Sequence, residues 1–161
     1  MHLTHTLPIF IDKDSEILIL GSFPSVKSRE MMFYYGHKQN RFFPVLGRLF
    51  NEDCPITVEE RKAFLKRHKI ALYDVIEECD IEGSADSSIK NVIPIDIESI
   101  LREFPNTKII GITGNTARYY FDKYLISKVG STKVVYLPST SPANAKMSID
   151  KLVEEFRNLI A

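Results

Sequence analysis

The sequence is poor in the features that mark several large classes of protein. It has only two cysteines, Cys54 and Cys79, which form no CxxC pair and have no partners at zinc-ligand spacing, so neither a disulfide scaffold nor a structural metal is expected. No apolar run approaches the roughly 18 residues of a membrane span, and the N-terminus lacks the basic and apolar segments of a secretory signal. We therefore expect a reduced, metal-free protein of the cytoplasm.

Length and composition predict one folded domain over residues 1–161. With 44% hydrophobic and 26% charged residues, the chain can bury one ordinary core and lacks the low hydrophobicity of a disordered chain. Lys+Arg and Asp+Glu both number 21, which argues against a surface coated in bases for nucleic acid. The charges are segregated, since residues 27–48 carry five bases and one acid, and residues 74–86 carry six acids and no base. Each run by itself is most often a solvated face.

Alternating strand and helix patterns predict an α/β fold. Short apolar runs suit strands covered on both faces; they lie at residues 16–21, 108–113 and 132–138, with a weaker run at 70–76. Helical spacing of apolar residues occurs at residues 40–50, 57–69, 96–104, 115–127 and 148–160. Asn40 would cap the first helix, which carries Pro44 in its first turn, and Thr57 with Glu60 forms a capping box at the second.

This order of elements predicts a mostly parallel sheet with helices on both sides. In such sheets ligands bind beyond the carboxyl ends of the strands. The segments of interest are therefore those that follow Leu20, Ile76, Thr113 and Leu137.

A long loop follows the first predicted strand. It reads GSFPSVKSREMMFYYGHKQN before its helix begins, and a loop of this length inside a compact domain is usually functional or disordered. Phe33, Tyr34 and Tyr35 argue against disorder, and they either wall a cavity or cap the core. His37 is a candidate acid or base, although a lone histidine is more often a structural hydrogen-bonding residue.

The segment LPSTSPANAK follows the last predicted strand. It holds three hydroxyls, an amide and a terminal base, with no acid. Hydroxyls and backbone N–H groups near a helix start can grip a phosphate, but the segment also suits a proline-stiffened turn that leads to an N-cap at Ser148. Both loops would emerge at the same edge of the sheet, which raises the prospect of a shared site.

Several other chemistries lack their motifs. GSFPS is not the GxSxG elbow, and neither a GxxxxGK[ST] phosphate loop nor a GxGxxG turn is present. The carboxylates of DVIEECDIEGSADSS have no spacing that specifies a pair for glycoside or metal chemistry. His2, His5 and His68 have no supporting context in the sequence.

Four segments occur in an order that resembles the uracil-DNA glycosylase superfamily: GSFPS after a buried strand, YYGHKQNRFF, EGSADSSIKN and LPSTSPAN. Within it the chain is most similar to the hypoxanthine-DNA glycosylase branch, also described as DNA-deoxyinosine glycosylases. The resemblance runs from about residue 17 to 156. It implies a single three-layer α/β/α domain around a four-stranded, mostly parallel sheet, without metal or cofactor, that excises damaged bases from DNA.

The resemblance also implies roles for individual residues. Asn40 matches the amide regarded as catalytic in this branch, and the 82–91 segment would lie at the rim of the pocket. The base-pocket residues would be Gly21, Ser22, Phe23, Pro24, Ser25, Tyr35 and His37, with Tyr35 against the flipped base. The residues that grip DNA would be Ser139, Thr140, Ser141, Pro142, Ala143, Asn144 and Lys146.

The chain departs from the family pattern at three places. It reads GSFPS where glycine commonly follows the proline, HKQN where a second proline is common, and NRFF where tryptophan is common after phenylalanine. Ser25 stands near the position where other branches carry an acidic or amide residue that activates water, so no carboxylate base is expected. Asn40 would either orient water through its carbonyl or donate to the base through its NH₂.

The expected function is that of a monofunctional glycosylase that flips and excises hypoxanthine, uracil or both, and so initiates base excision repair. It would act as a monomer on damaged, mispaired or single-stranded DNA. Two alternatives remain open, a catalytically silent DNA-damage-binding protein and a small-molecule hydrolase on the same fold. All of these expectations depend on residues 21–40 and 138–146 meeting in one cleft.

Overall fold

A four-stranded parallel sheet forms the centre of the computed structural model, which describes residues 1–83 and 85–160. The strands are β1 (His2–Thr4), β2 (Ile17–Gly21), β3 (Ile70–Asp74), β4 (Ile76–Asp80), β5 (Lys90–Pro94), β6 (Ile109–Thr113) and β7 (Lys133–Leu137). The helices are α1 (Val26–Met31), α2 (Phe42–Leu49), α3 (Val58–Arg67), α4 (Ile97–Glu103), α5 (Asn115–Tyr124) and α6 (Ile149–Phe156).

The central sheet has the strand order β3-β2-β6-β7, and all its neighbours are parallel. In this register Gly21 lies beside Asp74, and Thr113 lies beside Leu137. The carboxyl ends of the four strands therefore meet at one edge, where the sequence predicts the ligand site.

Hydrophobic layers cover both faces of this sheet. Along β2, Ile19 packs into a core with α2, α3 and α6, whereas Leu18 and Leu20 pack into a second core with α4 and α5. Alternate residues of a strand point to opposite faces, which is why a fully buried strand reads as a continuous apolar run. The predicted three-layer α/β/α fold with a four-stranded parallel sheet is confirmed.

Local capping signals place most helix starts correctly. Thr57 caps α3 in a capping box with Glu60, and Asp96 and Ser148 cap α4 and α6 through their side chains. The first predicted helix is an exception, because α2 begins at Phe42 and its N-cap position is Arg41. The Asn40 side chain still accepts a hydrogen bond from the N–H of Phe42, the first residue of α2. Asn40 itself stands one residue before the N-cap position.

The segment after β2 was predicted to be an irregular loop, but part of it is helical. It contains the short helix α1, and Ser25 caps it by accepting from the backbone N–H of Ser28. Phe33 and Tyr34 are buried in the core, which supports the core-capping interpretation for these two rings.

A second sheet was not predicted. Antiparallel strands in the order β1-β4-β5 pack beside the central sheet, and β4 begins only two residues after β3 ends. The predicted strand at 70–76 therefore runs across the junction of two strands. Within the described residues, no helix is long and apolar enough to cross a membrane.

Candidate active site

A cavity of about 950 Å³ opens at the carboxyl edge of the central sheet. This volume falls within the range of roughly 300–1,000 Å³ that is typical of ligand sites. The loop after β2 and the loop after β7 both line it, together with the N-terminal end of α5. The site residues that the resemblance implies and that line the cavity are Gly21, Ser22, Phe23, Pro24, Ser25, Tyr35, His37, Asn40, Ser139, Thr140, Ser141, Pro142, Ala143 and Asn144.

Arg41 holds the two loops together. Its guanidinium donates to the backbone carbonyls of Asn144, at 2.9 Å, and Met147, at 2.5 Å, and its own backbone N–H donates to the carbonyl of Thr140. The planar fork of a guanidinium can reach two carbonyls at once, which an ammonium group cannot do in the same way. In the sequence, Arg41 is distinguished only as one of the five bases in residues 27–48.

The side chain of Asn40 is oriented by two donors. Its Oδ1 accepts from the backbone N–H of Phe42 at 2.9 Å and from the hydroxyl of Thr140 at 2.8 Å. A backbone N–H can only donate, so the oxygen of the amide must face Phe42. Both acceptor positions of this oxygen are therefore used, and the NH₂ group is what Asn40 can offer to a ligand.

Thr140 is buried, with 2% of its surface exposed. Its hydroxyl donates to Asn40 and its carbonyl accepts from the Arg41 N–H. In this structure the residue positions the amide, whereas the resemblance placed it among the groups that grip DNA.

Tyr35 presents an aromatic ring at the cavity. One face of the ring stacks on Phe42, with centroids 3.8 Å apart and planes 8° apart, and the phenol oxygen lies 3.4 Å from the Thr113 hydroxyl. Burial raises the pKa of the Tyr35 phenol above its ordinary value, and the nearby Asp74 charge adds to this, although the Thr113 hydrogen bond opposes it. The phenol is therefore neutral at physiological pH.

The backbone of Tyr35 is held in the left-handed region, with φ at 56°. A non-glycine residue there stores about 1–3 kcal/mol of strain and persists only where packing imposes it. The stack on Phe42 and the contact with Thr113 supply that packing, so the ring has a fixed place in the cleft.

The hydroxyls of the second loop form two short turns. Ser139 Oγ accepts from the Ser141 N–H, and Ser141 Oγ accepts from the Ala143 N–H. Each of these two hydroxyls keeps its own proton as a donor for an anion. Asn144 is tied into the loop, because its side chain donates to the Ser139 carbonyl, and exposed Ala143 is left at the tip.

Two site predictions fall at the margins of the cavity. His37 is exposed, and its Nδ1 accepts from the Gln39 N–H. Lys146 is exposed on the second loop and is not among the residues that line the cavity.

Two carboxylates line the cavity, although none was expected in this role. Asp74 ends β3, and Asp86 comes from the 82–91 segment, of which Ser84 lies outside the described residues. The Ser22 hydroxyl donates to Asp86 at 3.3 Å. Other branches carry an acidic or amide residue near the position of Ser25, whose hydroxyl in this chain interacts with Ser28. Asp74 ends a strand at the ligand-binding edge, a position that could have drawn attention to it.

Desolvation at the cavity mouth raises the pKa of Asp86 above the ordinary carboxyl value. Hydrogen bonds from Ser22 and Thr116 oppose the effect, and the negative charge of Asp74 adds to it. Part of the Asp86 side chain remains exposed to solvent, so the shift is moderated by water.

Fold and cleft together place the protein among α/β proteins that bind their ligand at the carboxyl edge of a parallel sheet. The chain belongs to the uracil DNA glycosylase superfamily, whose family profile matches residues 8–160. This confirms the family inferred from the four ordered segments.

Known proteins resemble the chain over most of its length. It is 38% identical to a Methanosarcina barkeri protein named hypoxanthine DNA glycosylase, over 86% of this chain and 87% of the relative. A Methanosarcina acetivorans protein of the same name is 36% identical over 88% of each chain. A solution NMR structure of a Methanosarcina acetivorans protein, provisionally assigned as a uracil DNA glycosylase, superposes with a TM-score of 0.82 at 30% identity and covers both chains fully.

We predict that Arg41→Ala separates the two loops of the cleft. Loss of hydrogen bonds from a charged donor should lower the free energy of unfolding by about 1.5–3 kcal/mol, measured by urea denaturation. The free energy of unfolding of Arg41→Lys should lie between the values for the wild type and Arg41→Ala. Arg48→Ala, in the last turn of α2, is the matched control, because Arg48 pairs with Asp150 at the surface, and such pairs contribute about 0–1 kcal/mol. Equal losses in Arg41→Ala and Arg48→Ala would contradict the role of Arg41.

Proposed function

We propose that this chain is a monofunctional DNA glycosylase that everts a deaminated nucleotide and hydrolyses its N-glycosidic bond, as the first step of base excision repair. Hypoxanthine is supported by the names of the two Methanosarcina relatives, and uracil by the superfamily. The protein acts as a monomer on damaged, mispaired or single-stranded DNA. The observation that carries the proposal is the cleft in which the Asn40 amide, with its oxygen already bonded, lies between an aromatic loop and a hydroxyl loop.

Nucleotide eversion fits the aromatic side of this cleft. Extruding a nucleotide costs a few kcal/mol, and less where the base is mispaired, as a deaminated base is. Stacking on an aromatic ring returns about 1–3 kcal/mol per base. Since Phe42 covers one face of Tyr35, the other face receives the base.

The second loop is suited to the sugar-phosphate backbone. Ser139 and Ser141 keep hydroxyl donors, and the same loop carries the exposed positive charge of Lys146. Contacts of this kind position a protein on DNA without reading its sequence. The exposed tip residue is only an alanine, so deep insertion into a duplex is not expected, and mispaired or single-stranded substrates are favoured.

Bond cleavage requires stabilisation of two charges. As the C1′–N bond breaks, its electron pair leaves with the base, so the sugar becomes positive and the base negative. A water molecule then adds to C1′, and the proton that it releases neutralises the base. The NH₂ of Asn40 donates to the departing base, and one well-aimed donor of this kind contributes about 3–4 kcal/mol of barrier lowering. The Asp86 carboxylate at the cavity mouth attracts the positive sugar through its charge.

The function is tested with labelled oligonucleotides that carry deoxyinosine, uracil or xanthine, opposite each normal base and in single strands. After incubation with the protein, alkali cleaves the strand at any abasic site. We expect cut strands for hypoxanthine, uracil or both, with mispaired and single-stranded substrates cut faster than paired ones. Borohydride should trap no covalent complex. Binding to damaged DNA without any cut strand would instead identify a silent damage-binding protein.

Asn40→Asp should abolish most base release. The carboxylate can still accept from Phe42 and Thr140, so the local fold is kept, but the N–H donors are gone. We expect the single-turnover rate to fall about a hundredfold to a thousandfold, and Asn40→Ala should give a similar loss while DNA binding persists. Gln39→Ala, which changes the adjacent amide outside the cavity lining, is the control. Full activity in Asn40→Asp would refute the donor role.

A pH profile tests the role assigned to Asp86. Its pKa is raised, so the charge that attracts the sugar is present above this pKa and is lost as the pH falls through it. The single-turnover rate should therefore decline on the acid side at a pH above the ordinary carboxyl range near 4. Asp86→Asn should remove this decline and lower the plateau, whereas Glu82→Gln in the same segment should leave the profile unchanged. An unaltered acid limb in Asp86→Asn would contradict the assignment.

A further inference from the structure

A smaller cavity of about 280 Å³ opens beside the active-site cavity and has no part in the mechanism above. This side cavity lies between the 86–89 segment and the first two turns of α5, and its walls include Asp86, Ser87, Asn115, Thr116, Tyr119 and Tyr120. Asp86, Asn115 and Thr116 line both cavities. The volume lies just below the roughly 300 Å³ at which typical ligand sites begin, so the side cavity has room for one small ring system.

Tyr120 is a fixed wall of the side cavity. The partly buried ring packs against the core that α5 covers, and its hydroxyl donates to the carbonyl of Ile89 at 3.5 Å. Its plane is parallel to that of Tyr124, with centroids 6.4 Å apart, and nearly perpendicular to that of Tyr119, with centroids 5.0 Å apart. Contacts on several sides therefore hold this ring in place before any ligand arrives.

Tyr119 is the open side of the same cavity. It is 59% exposed, and among the phenylalanine and tyrosine residues of the described ranges it alone is largely exposed. A single exposed ring needs no explanation by itself, but this one borders a cavity and is accompanied by a positive charge, since Lys123 Nζ lies 5.8 Å from the ring centroid. Exposed rings accompanied by positive charge are what proteins use to stack the bases of single strands.

The polar groups of the side cavity favour a base over a phosphate. The Asp86 carboxylate stands in the wall that the two cavities share and would repel an anion. A nucleobase is uncharged, and its amino or ring N–H groups can donate to this carboxylate. The Ser87 hydroxyl and the Asn115 amide add groups that can both donate and accept. The composition of the walls therefore matches a planar, uncharged ring with polar edges.

The position of the side cavity identifies which base it can receive. It adjoins the cavity of the everted nucleotide across a wall of three shared residues, and the next base along the same strand is the ring tethered closest to that nucleotide. In a single strand this neighbour is unpaired and free to stack on protein. In a duplex it stays paired and stacked within the helix, and moving it would carry the cost of disrupting that stack.

We propose that the side cavity is a second base-binding site, in which Tyr119 stacks the base next to the everted nucleotide when the substrate is single-stranded DNA. The site is non-specific in sequence, because stacking uses the face that every base has. It gives the protein additional affinity for single strands over duplexes. This proposal rests on the glycosylase function proposed above, and it concerns substrate binding rather than bond cleavage.

The test measures binding of single-stranded oligonucleotides that carry one 2′-fluoro-stabilised deoxyinosine, so that excision does not affect the result. In further strands a tetrahydrofuran analogue replaces the nucleotide on the 5′ side, on the 3′ side, or four positions away, which removes one base and keeps the phosphates. We expect removal of the base at one of the two adjacent positions to weaken binding to the wild type about fivefold to a hundredfold. Removal four positions away should change the affinity less than about twofold.

Variants of Tyr119 connect this loss to the ring. Tyr119→Ala should bind the complete single strand as weakly as the wild type binds the strand without the neighbouring base, and should be insensitive to removal of that base. Tyr119→Phe keeps the stacking face and should behave as the wild type. Ile126→Ala is the matched control, because Ile126 is 41% exposed beyond the end of α5 and is not among the residues that line either cavity. Urea unfolding of each variant verifies that the fold is intact.

The outcomes distinguish the two proposals. If the wild type excises no deaminated base, the glycosylase function fails. If it excises such a base but Tyr119→Ala binds single strands as tightly as the wild type, or still responds to removal of the neighbouring base, the side-cavity proposal is overturned while the glycosylase function stands. An equal loss of affinity for single strands and for duplexes with a mispaired inosine would also overturn it. A loss confined to single strands, with Tyr119→Phe unaffected, supports the second base-binding site.

Discussion

The cleft depends on the guanidinium of Arg41. Two loops that are about a hundred residues apart in sequence meet because this side chain bonds the carbonyls of Asn144 and Met147. The residue before it carries the amide, and the helix after it carries Phe42, on which Tyr35 stacks. One basic residue at the start of α2 thus connects the loop that bears the hydroxyls to the groups that would face the base. Asn40 and Thr140 add a side-chain hydrogen bond across the same junction.

Charge is divided within the cleft in a way that the net charge of zero conceals. Asp74 and Asp86 line the cavity, whereas the loop after β7 contains no acid, presents hydroxyls to the cavity and carries the exposed Lys146 outside the lining. For a nucleotide this arrangement separates two tasks, because phosphates need donors and positive charge, and a developing sugar cation needs negative charge. A surface coated in bases would serve the first task and oppose the second.

The prediction of the site was strong for the residues of the two loops and weak for the groups that orient them. The resemblance to the superfamily pointed to Tyr35, Asn40, Ser139 and Ser141, and all four line the cavity. Their roles remain predictions. Arg41, Asp74 and His5, whose ring forms a buried hydrogen bond with Asp74, were missed, because each acts through a partner that is distant in sequence, and no spacing along the chain reveals such a pair. Loop composition treated the three aromatic residues of the first loop only as a group, whereas in the fold Phe33 is buried in the core, Tyr34 is buried but touches the cavity, and the partly exposed ring of Tyr35 lines it.

The sequence by itself determined the features that arise from neighbouring residues. Apolar runs specified the strands of the central sheet, and local side-chain caps such as Thr57 with Glu60 specified helix starts, because these signals act within one turn or one strand. Tertiary structure alone decided the second sheet, the left-handed backbone of Tyr35, the direction of the Asn40 amide and the pairing of His5 with Asp74. Each of these depends on groups brought together by folding, where burial removes water as the competing partner and makes an unpaired polar group costly.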